Sequence, residues 1–196
     1  MKNRKLAVLV LGLMPAILMP AVAARGEKHA IDVERSVMKI RVYKTGLFSA
    51  FAHDHEIAAP IAQGAVEISQ PLAVELRVHA GTLRVLDPQL SADKRAEVQR
   101  TMEGPKVLDS SRFPEIRFQS TAIEKAGANR WTVQGMLTLH GQTHPLTADV
   151  TLQDGRYRGE ATLKQRDFGI SPVSLAGGTV KIKNEVKVEF EIALVH

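Results

Sequence analysis

Apolar and polar residues alternate with a period of two along most of this chain. The clearest run lies between Trp131 and Gln153. Trp131, Val133, Leu137 and Leu139 share one side, and Thr132, Gln134 and Thr138 share the other. After a connection spanning His140 to Pro145, Leu146, Ala148, Val150 and Leu152 alternate with Thr147, Asp149, Thr151 and Gln153. A period of two marks antiparallel strands with one apolar and one wet face. The Gly, Gln, Thr and Pro of the connection suit a turn, so the segment predicts a hairpin.

The same pattern predicts most of the other elements. Ile31 and Val33 open a short strand. Met38, Ile40 and Val42 alternate with Lys39, Arg41 and Tyr43 in the next, and His53 to Ile57 reads as another. Leu72, Val74, Leu76, Val78 and Ala80 oppose Glu75, Arg77 and His79, with Leu83 and Val85 extending the row after Gly81. Ile116, Phe118 and Ser120 begin a strand after Pro114. Tyr157, Gly159, Ala161 and Leu163 alternate with polar neighbours, as do Val186, Val188, Phe190, Ile192 and Leu194. Between Ser91 and Met102 the spacing changes. Ala92, Arg95, Ala96, Val98, Gln99 and Met102 fit a helix capped by Ser91 and ended at Gly104-Pro105, with a further helical turn at Val107-Leu108.

The count is about eight strands and one inserted helical segment. A sheet with one long apolar face must cover it, and closure into an antiparallel barrel does so while removing the edges. Eight strands enclose a space that side chains fill or that holds one ligand. The inward Gly135, Gly159, Ala148 and Ala161 are small: they leave room for a ligand or accommodate a bulky neighbour.

Residues 1–24 read as a secretory signal peptide, with residues 25–196 as a single domain. Lys2, Arg4 and Lys5 precede an apolar run from Leu6 to Met19, and Ala21-Val22-Ala23 offers a small-x-small cleavage site. The apolar run is shorter than the roughly 20 residues a membrane span needs, and no later segment could span. The expected location is the periplasm. The formal charge of +5 shrinks once the leader's three bases are removed, leaving 23 basic residues against 21 acidic, with no block of like charge. Nucleic acid is therefore not an expected partner. The chain has no cysteine, so the fold owes nothing to disulfides.

Candidate chemistry is sparse. His53 and His55 share a strand face with Ile57 and are expected to point inward. They could bind a metal ion if a third ligand converged, or orient a ligand's head group. His140 is expected to fix its turn through a backbone hydrogen bond, and Arg166 and Asp167 to form a structural ion pair. Phe48 and Phe51, with Leu47, make the connection 46–52 too apolar for an ordinary solvated loop; it forms a lid over the barrel mouth or packs into the core. No nucleophile motif, phosphate loop or paired inward carboxylates occur, which argues against an enzyme.

Several blocks are similar to the YceI-like family of secreted bacterial proteins, known as polyisoprenoid-binding. They are His29-Ala30-Ile31-Asp32, Phe113 to Thr121, Gly135 to Leu146 and Arg166 to Ile170, in the family's order, with looser matches at Lys94-Arg95 and Leu108 to Ser111. The resemblance spans residues 29–195. It implies a lipocalin-like barrel whose apolar channel holds an isoprenoid or other amphiphilic lipid, with no catalytic motif and no cofactor. At Leu47 to His55 the chain departs from the commonest family pattern, which marks a subgroup with its own head-group chemistry. Periodicity and resemblance together nominate Ile40, Val42, Phe48, Phe51, His53, His55, Leu76, Val78, Phe118, Leu137, Phe168 and Phe190 as ligand contacts.

Overall fold

The computed structural model describes residues 27–45, 54–175 and 180–195. Eleven strands and one α-helix follow one another in the order β1 (Lys28–Thr45), β2 (His55–Ala58), β3 (Ile61–Glu67), β4 (Ala73–His79), β5 (Arg84–Val85), α1 (Ala92–Glu103), β6 (Glu115–Gly127), β7 (Arg130–Leu139), β8 (Gln142–Gln153), β9 (Arg156–Lys164), β10 (Ser174–Leu175) and β11 (Val180–Leu194). The sheet runs β11-β9-β8-β7-β6-β4-β3-β1, and β1 pairs back onto β11. These eight staves form the closed antiparallel barrel that the alternation predicts. The short β2, β5 and β10 lie beside its rim, β2 on β1, β5 on β2 and β10 on β11.

The alternation survives in three dimensions. On β7, Val133, Gly135, Leu137 and Leu139 are buried while Gln134 and Met136 are exposed; on β8, Ala148 and Val150 are buried between exposed Thr147, Asp149 and Thr151. The outer face is charged. Across β2, β1, β11 and β9 runs a row of ion pairs: Lys39–Glu56 (2.8 Å), Glu56–Arg41 (3.0 Å), Arg41–Glu189 (2.7 Å), Glu189–Lys187 (3.5 Å) and Lys187–Glu160 (2.7 Å). A barrel that crosses a membrane presents an apolar band outward; this wall presents the reverse. No helix among the described residues is long and apolar enough to cross a membrane.

Three sequence expectations change. The segments at Ile31 and at Met38 to Val42 are one strand, β1, whose register against β11 slips between Asp32 and Val37. Such a bulge breaks the alternation and leaves Val33 and Val37 exposed, so one strand reads as two. The β7–β8 connection is only His140-Gly141; Gln142 to Pro145 already pair with β7. Both turn residues have positive φ, +50° and +74°, as a two-residue type I′ hairpin requires. Val107-Leu108 is a hydrogen-bonded turn and not helix: Val107 N–H donates to the Gly104 carbonyl at 3.1 Å.

The helix closes one end of the barrel. Ser91 Oγ accepts from Lys94 N–H at 3.4 Å, and Asp93 and Arg100 sit at the ends that suit their charge. Only Met102 of α1 is buried, so the apolar stripe alone holds the helix weakly. Gln99 adds a clamp. Its side-chain oxygen accepts from Val85 N–H and its nitrogen donates to the Leu83 carbonyl, both at 2.8 Å. Val85 is on β5 and Leu83 immediately precedes it, so the clamp satisfies and covers backbone groups beside that short strand.

Candidate functional site

A cavity of about 290 Å³ runs along the barrel. Its wall extends from Glu67, Ile68 and Leu72, beside the β3–β4 turn, to Met102, Val107 and Leu108 at the helix end. Nearly all of the lining is aliphatic or aromatic; among the described lining residues Glu67 is the one charged side chain and Gln165 the one amide. The two ends differ. Near the helix, Leu83, Met102, Leu108 and Ile170 are buried. At the opposite end Val66, Leu72, Ile123 and Trp131 are half-buried, and Ile68 is 41% exposed. Among the described residues, then, access lies at the turn end.

The lining forms because the inward residues of every stave are apolar, and two phenylalanines fill space left by glycines on neighbouring strands. Phe118 on β6 lies over Gly135 on β7, where a Cβ would come within 2.6 Å of the ring's Cε2. Phe190 on β11 stands opposite Gly159 on β9 in the same relationship. The inward glycines therefore make room for aromatic rings of neighbouring strands. Ala148 and Ala161 face each other across β8 and β9 and do line the cavity.

Of the nominated contacts, Ile40, Val42, Leu76, Val78, Phe118, Leu137 and Phe190 stand on the cavity wall. Phe48, Phe51 and His53 lie outside the described residues. Phe168 is elsewhere: 2% exposed, it packs in the helix-end core, with the His144 ring edge-on at 5.2 Å and its carbonyl accepting from His140 Nδ1 at 3.1 Å. His140 thus ties the β7–β8 turn to the short 3-10 turn at Gln165–Phe168, as the expected backbone bond requires, and its ring also meets Phe113 at 4.8 Å. No Arg166–Asp167 ion pair forms among the described residues. Arg166 instead donates its backbone N–H to Asn184 Oδ1 at 3.0 Å.

His55 does belong to the inward row of β2, opposite Val42. It is engaged by a residue that sequence reasoning did not single out. Asp87 is 1% exposed; its Oδ2 accepts from His55 Nδ1 at 2.6 Å and its Oδ1 from Glu56 N–H at 2.8 Å. No group of three or more His, Cys, Asp or Glu among the described residues is placed to hold a metal ion.

Trp131, Tyr157, Glu67 and Gln165 also line the cavity and were not nominated. The first two were visible as inward positions of the alternation. They stand together near the accessible end, ring centroids 6.1 Å apart, and burial pushes the Tyr157 hydroxyl above its ordinary value. Gln165 follows the end of β9, and its amide donates to the Lys183 carbonyl at 2.8 Å; nothing in the alternation marks it.

Comparison with known proteins adds the family context. Residues 29–194 match the YceI-like domain. A UPF0312 protein of Shewanella baltica is 28% identical over 180 residues, covering 83% of this chain and 86% of its own length. One from Pseudomonas savastanoi pv. phaseolicola is 31% identical over 114 residues, covering 53% of this chain and 56% of its own. The fold is similar to Burkholderia cenocepacia BcnA, with a TM-score of 0.65 at 18% identity, covering 85% of this chain and 99% of that one. It is also similar to the Campylobacter jejuni YCEI protein, with a TM-score of 0.50 at 12% identity over 68% of this chain and 80% of that one.

Proposed function

The chain belongs to the YceI-like domain family, and from that premise we propose that it is a periplasmic, non-enzymatic carrier for a polyisoprenoid or similar amphiphilic lipid. Family and barrel support a binding protein. The observation that carries the choice of ligand is the shape of the cavity: about 290 Å³ drawn out along the barrel, with walls of Val, Leu, Ile, Met and Phe. A compact ligand would leave the length of that channel empty, whereas a flexible hydrocarbon chain fills it. Each square ångström of apolar surface it removes from water stabilises the complex by roughly 25 cal/mol before ordering costs. Trp131 and Tyr157 offer amphipathic rings at the accessible end, where an apolar site meets water.

Residues 1–24 serve in this reading as a leader removed on secretion, and residues 25–196 as the mature carrier. Gentle purification followed by organic extraction and mass spectrometry tests the proposal: a co-purifying isoprenoid or stoichiometric uptake of an added one is expected. Absence of both overturns it. Metal analysis of untagged protein separates this reading from a metal-binding role for His53 and His55. Stoichiometric metal that disappears in the H53A/H55A variant would favour that role.

A further inference from the structure

The geometry points to the His55–Asp87 pair as the polar end of the ligand site, a binding point for an uncharged head group such as an alcohol, carbonyl or amide. This inference rests on the carrier reading.

His55 begins an inward row that continues through Ile57 on β2 to Ala59 just past its end; Ile57 and Ala59 line the cavity, while His55 and Asp87 are not among its lining residues. The strand partner of His55, Val42, also lines it. Asp87 arrives by the same logic: it lies two residues beyond Val85, which pairs with Ile57. The pair therefore stands where the apolar channel runs out at the helix end. Both carboxylate oxygens of Asp87 are used, one by the backbone of Glu56 and one by the imidazole. A buried carboxylate held in this way fixes the ring's orientation and tautomer, as an outer partner does for a functional histidine. With Nδ1 committed and no partner for Nε2 among the described residues, Nε2 is the nitrogen a ligand would use. It accepts from a hydroxyl or amide when the ring is neutral and donates to a carbonyl when the ring is charged.

The surroundings select the head group. A diphosphate or carboxylate drawn into an apolar site needs cationic partners to offset its lost hydration. The described lining contains no Lys or Arg; its one carboxylate, Glu67, lies at the far end, and Asp87 is the negative group beside His55. An anionic head group meets repulsion there, and an uncharged one that makes a single good hydrogen bond does not.

Titration of the purified full-length protein with isoprenoids of one chain length, carried as the hydrocarbon, the alcohol and the diphosphate, tests this. Wild type is expected to prefer the alcohol to both others. His55→Phe is expected to lose that preference by about tenfold, in line with one hydrogen bond removed at a largely buried site. Circular dichroism of the variant checks that the barrel is intact, since Phe leaves the buried Asp87 carboxylate without its imidazole partner. Nitrogen NMR of wild-type His55 reads the same contact without a substitution: the alcohol should shift Nε2, and the hydrocarbon should not. Undiminished alcohol binding in His55→Phe, an unmoved Nε2 resonance, or tighter binding of the diphosphate each overturns the inference. Failure of wild type to take up any of the probes overturns the carrier reading instead.

Discussion

Phe190 and Gly159 stand opposite each other on β11 and β9, and the ring of the first occupies the space a side chain on the second would need. A Cβ at Gly159 would lie 2.6 Å from Phe190 Cζ and would also press on the Asp149 carbonyl. Gly159→Ala is therefore expected to destabilise the barrel by about 1–3 kcal/mol, the usual cost of overpacking. Phe190→Leu in the same chain should recover only part of the loss, because the Asp149 carbonyl does not move away. Chemical denaturation of the single and double variants checks this; full recovery would place the conflict in the ring alone.

His140 and Asp154 allow a matched comparison. Each is the first residue of a two-residue hairpin turn, with φ of +50° and +51°, and each precedes a glycine of positive φ. Replacement by Ala imposes the same left-handed backbone strain at both positions. His140→Ala also strands the Phe168 carbonyl and removes the ring from Phe113. It should cost about 1 kcal/mol more than Asp154→Ala, the worth of a typical internal hydrogen bond. Equal losses in thermal or denaturant unfolding would show the imidazole to be dispensable.

Gln99 is expected to matter locally more than globally. Gln99→Ala leaves Val85 N–H unpaired beneath α1 and takes one of two donors from the Leu83 carbonyl, which Arg84 still serves at 2.7 Å, at a cost of about 1–3 kcal/mol. Amide hydrogen exchange should accelerate first at Val85 and across α1, while the β7–β8 pairs keep their protection. Uniform acceleration would mean that the helix and the barrel wall open as one unit.

The outer row of ion pairs predicts acid sensitivity. The Arg41 guanidinium, hydrogen-bonded to Glu189 at 2.7 Å, holds that carboxyl below the usual carboxylate range, with Lys187 adding to the effect. A carboxyl whose value is lowered by folding contributes stability that is complete above the ordinary glutamate value of about 4.3. The contribution is lost as pH falls through the lowered folded value. The gap in melting temperature between wild type and Glu189→Gln should accordingly be widest near neutrality and close on acidification. A gap independent of pH would remove the charge from the explanation.

Val188 stands on the cavity wall and is half-buried there. Val188→Trp should obstruct the channel and abolish uptake of an isoprenoid chain, at a stability cost of about 1–3 kcal/mol. Uptake by a folded variant at the wild-type level would place the ligand elsewhere.

The barrel was legible because its walls obey one rule: inward positions are apolar at every second residue. The helix was legible because Ser91 and Gly104 bracket a change of period. What escaped notice breaks the rule or depends on a distant partner. The β1 bulge makes one strand look like two. Asp87 reads as an ordinary loop residue, and only the approach of β2 reveals it as a buried acceptor for His55. Phe168 has the right chemistry for a ligand contact, but the 3-10 turn that carries it directs it into the core beneath His140. Gly135 and Gly159 could not be assigned from sequence alone, since their meaning lies in Phe118 and Phe190 on neighbouring strands.

The seam between β1 and β11 has a consequence in time. It joins Ile31 to Leu194 and Val42 to Val186, so the first stave, which pairs with β2 and β3 soon after they are made, finds the partner of its other edge only in the last. Contacts so far apart in the chain carry a large loop-closure cost and form slowly. A growing chain can pair its hairpins early, but it cannot close until β11 has been made. Until then β1 keeps one unsatisfied edge, and the channel does not exist as a container. Ligand capture therefore belongs to the finished chain, and for a protein read as secreted, to the far side of the membrane.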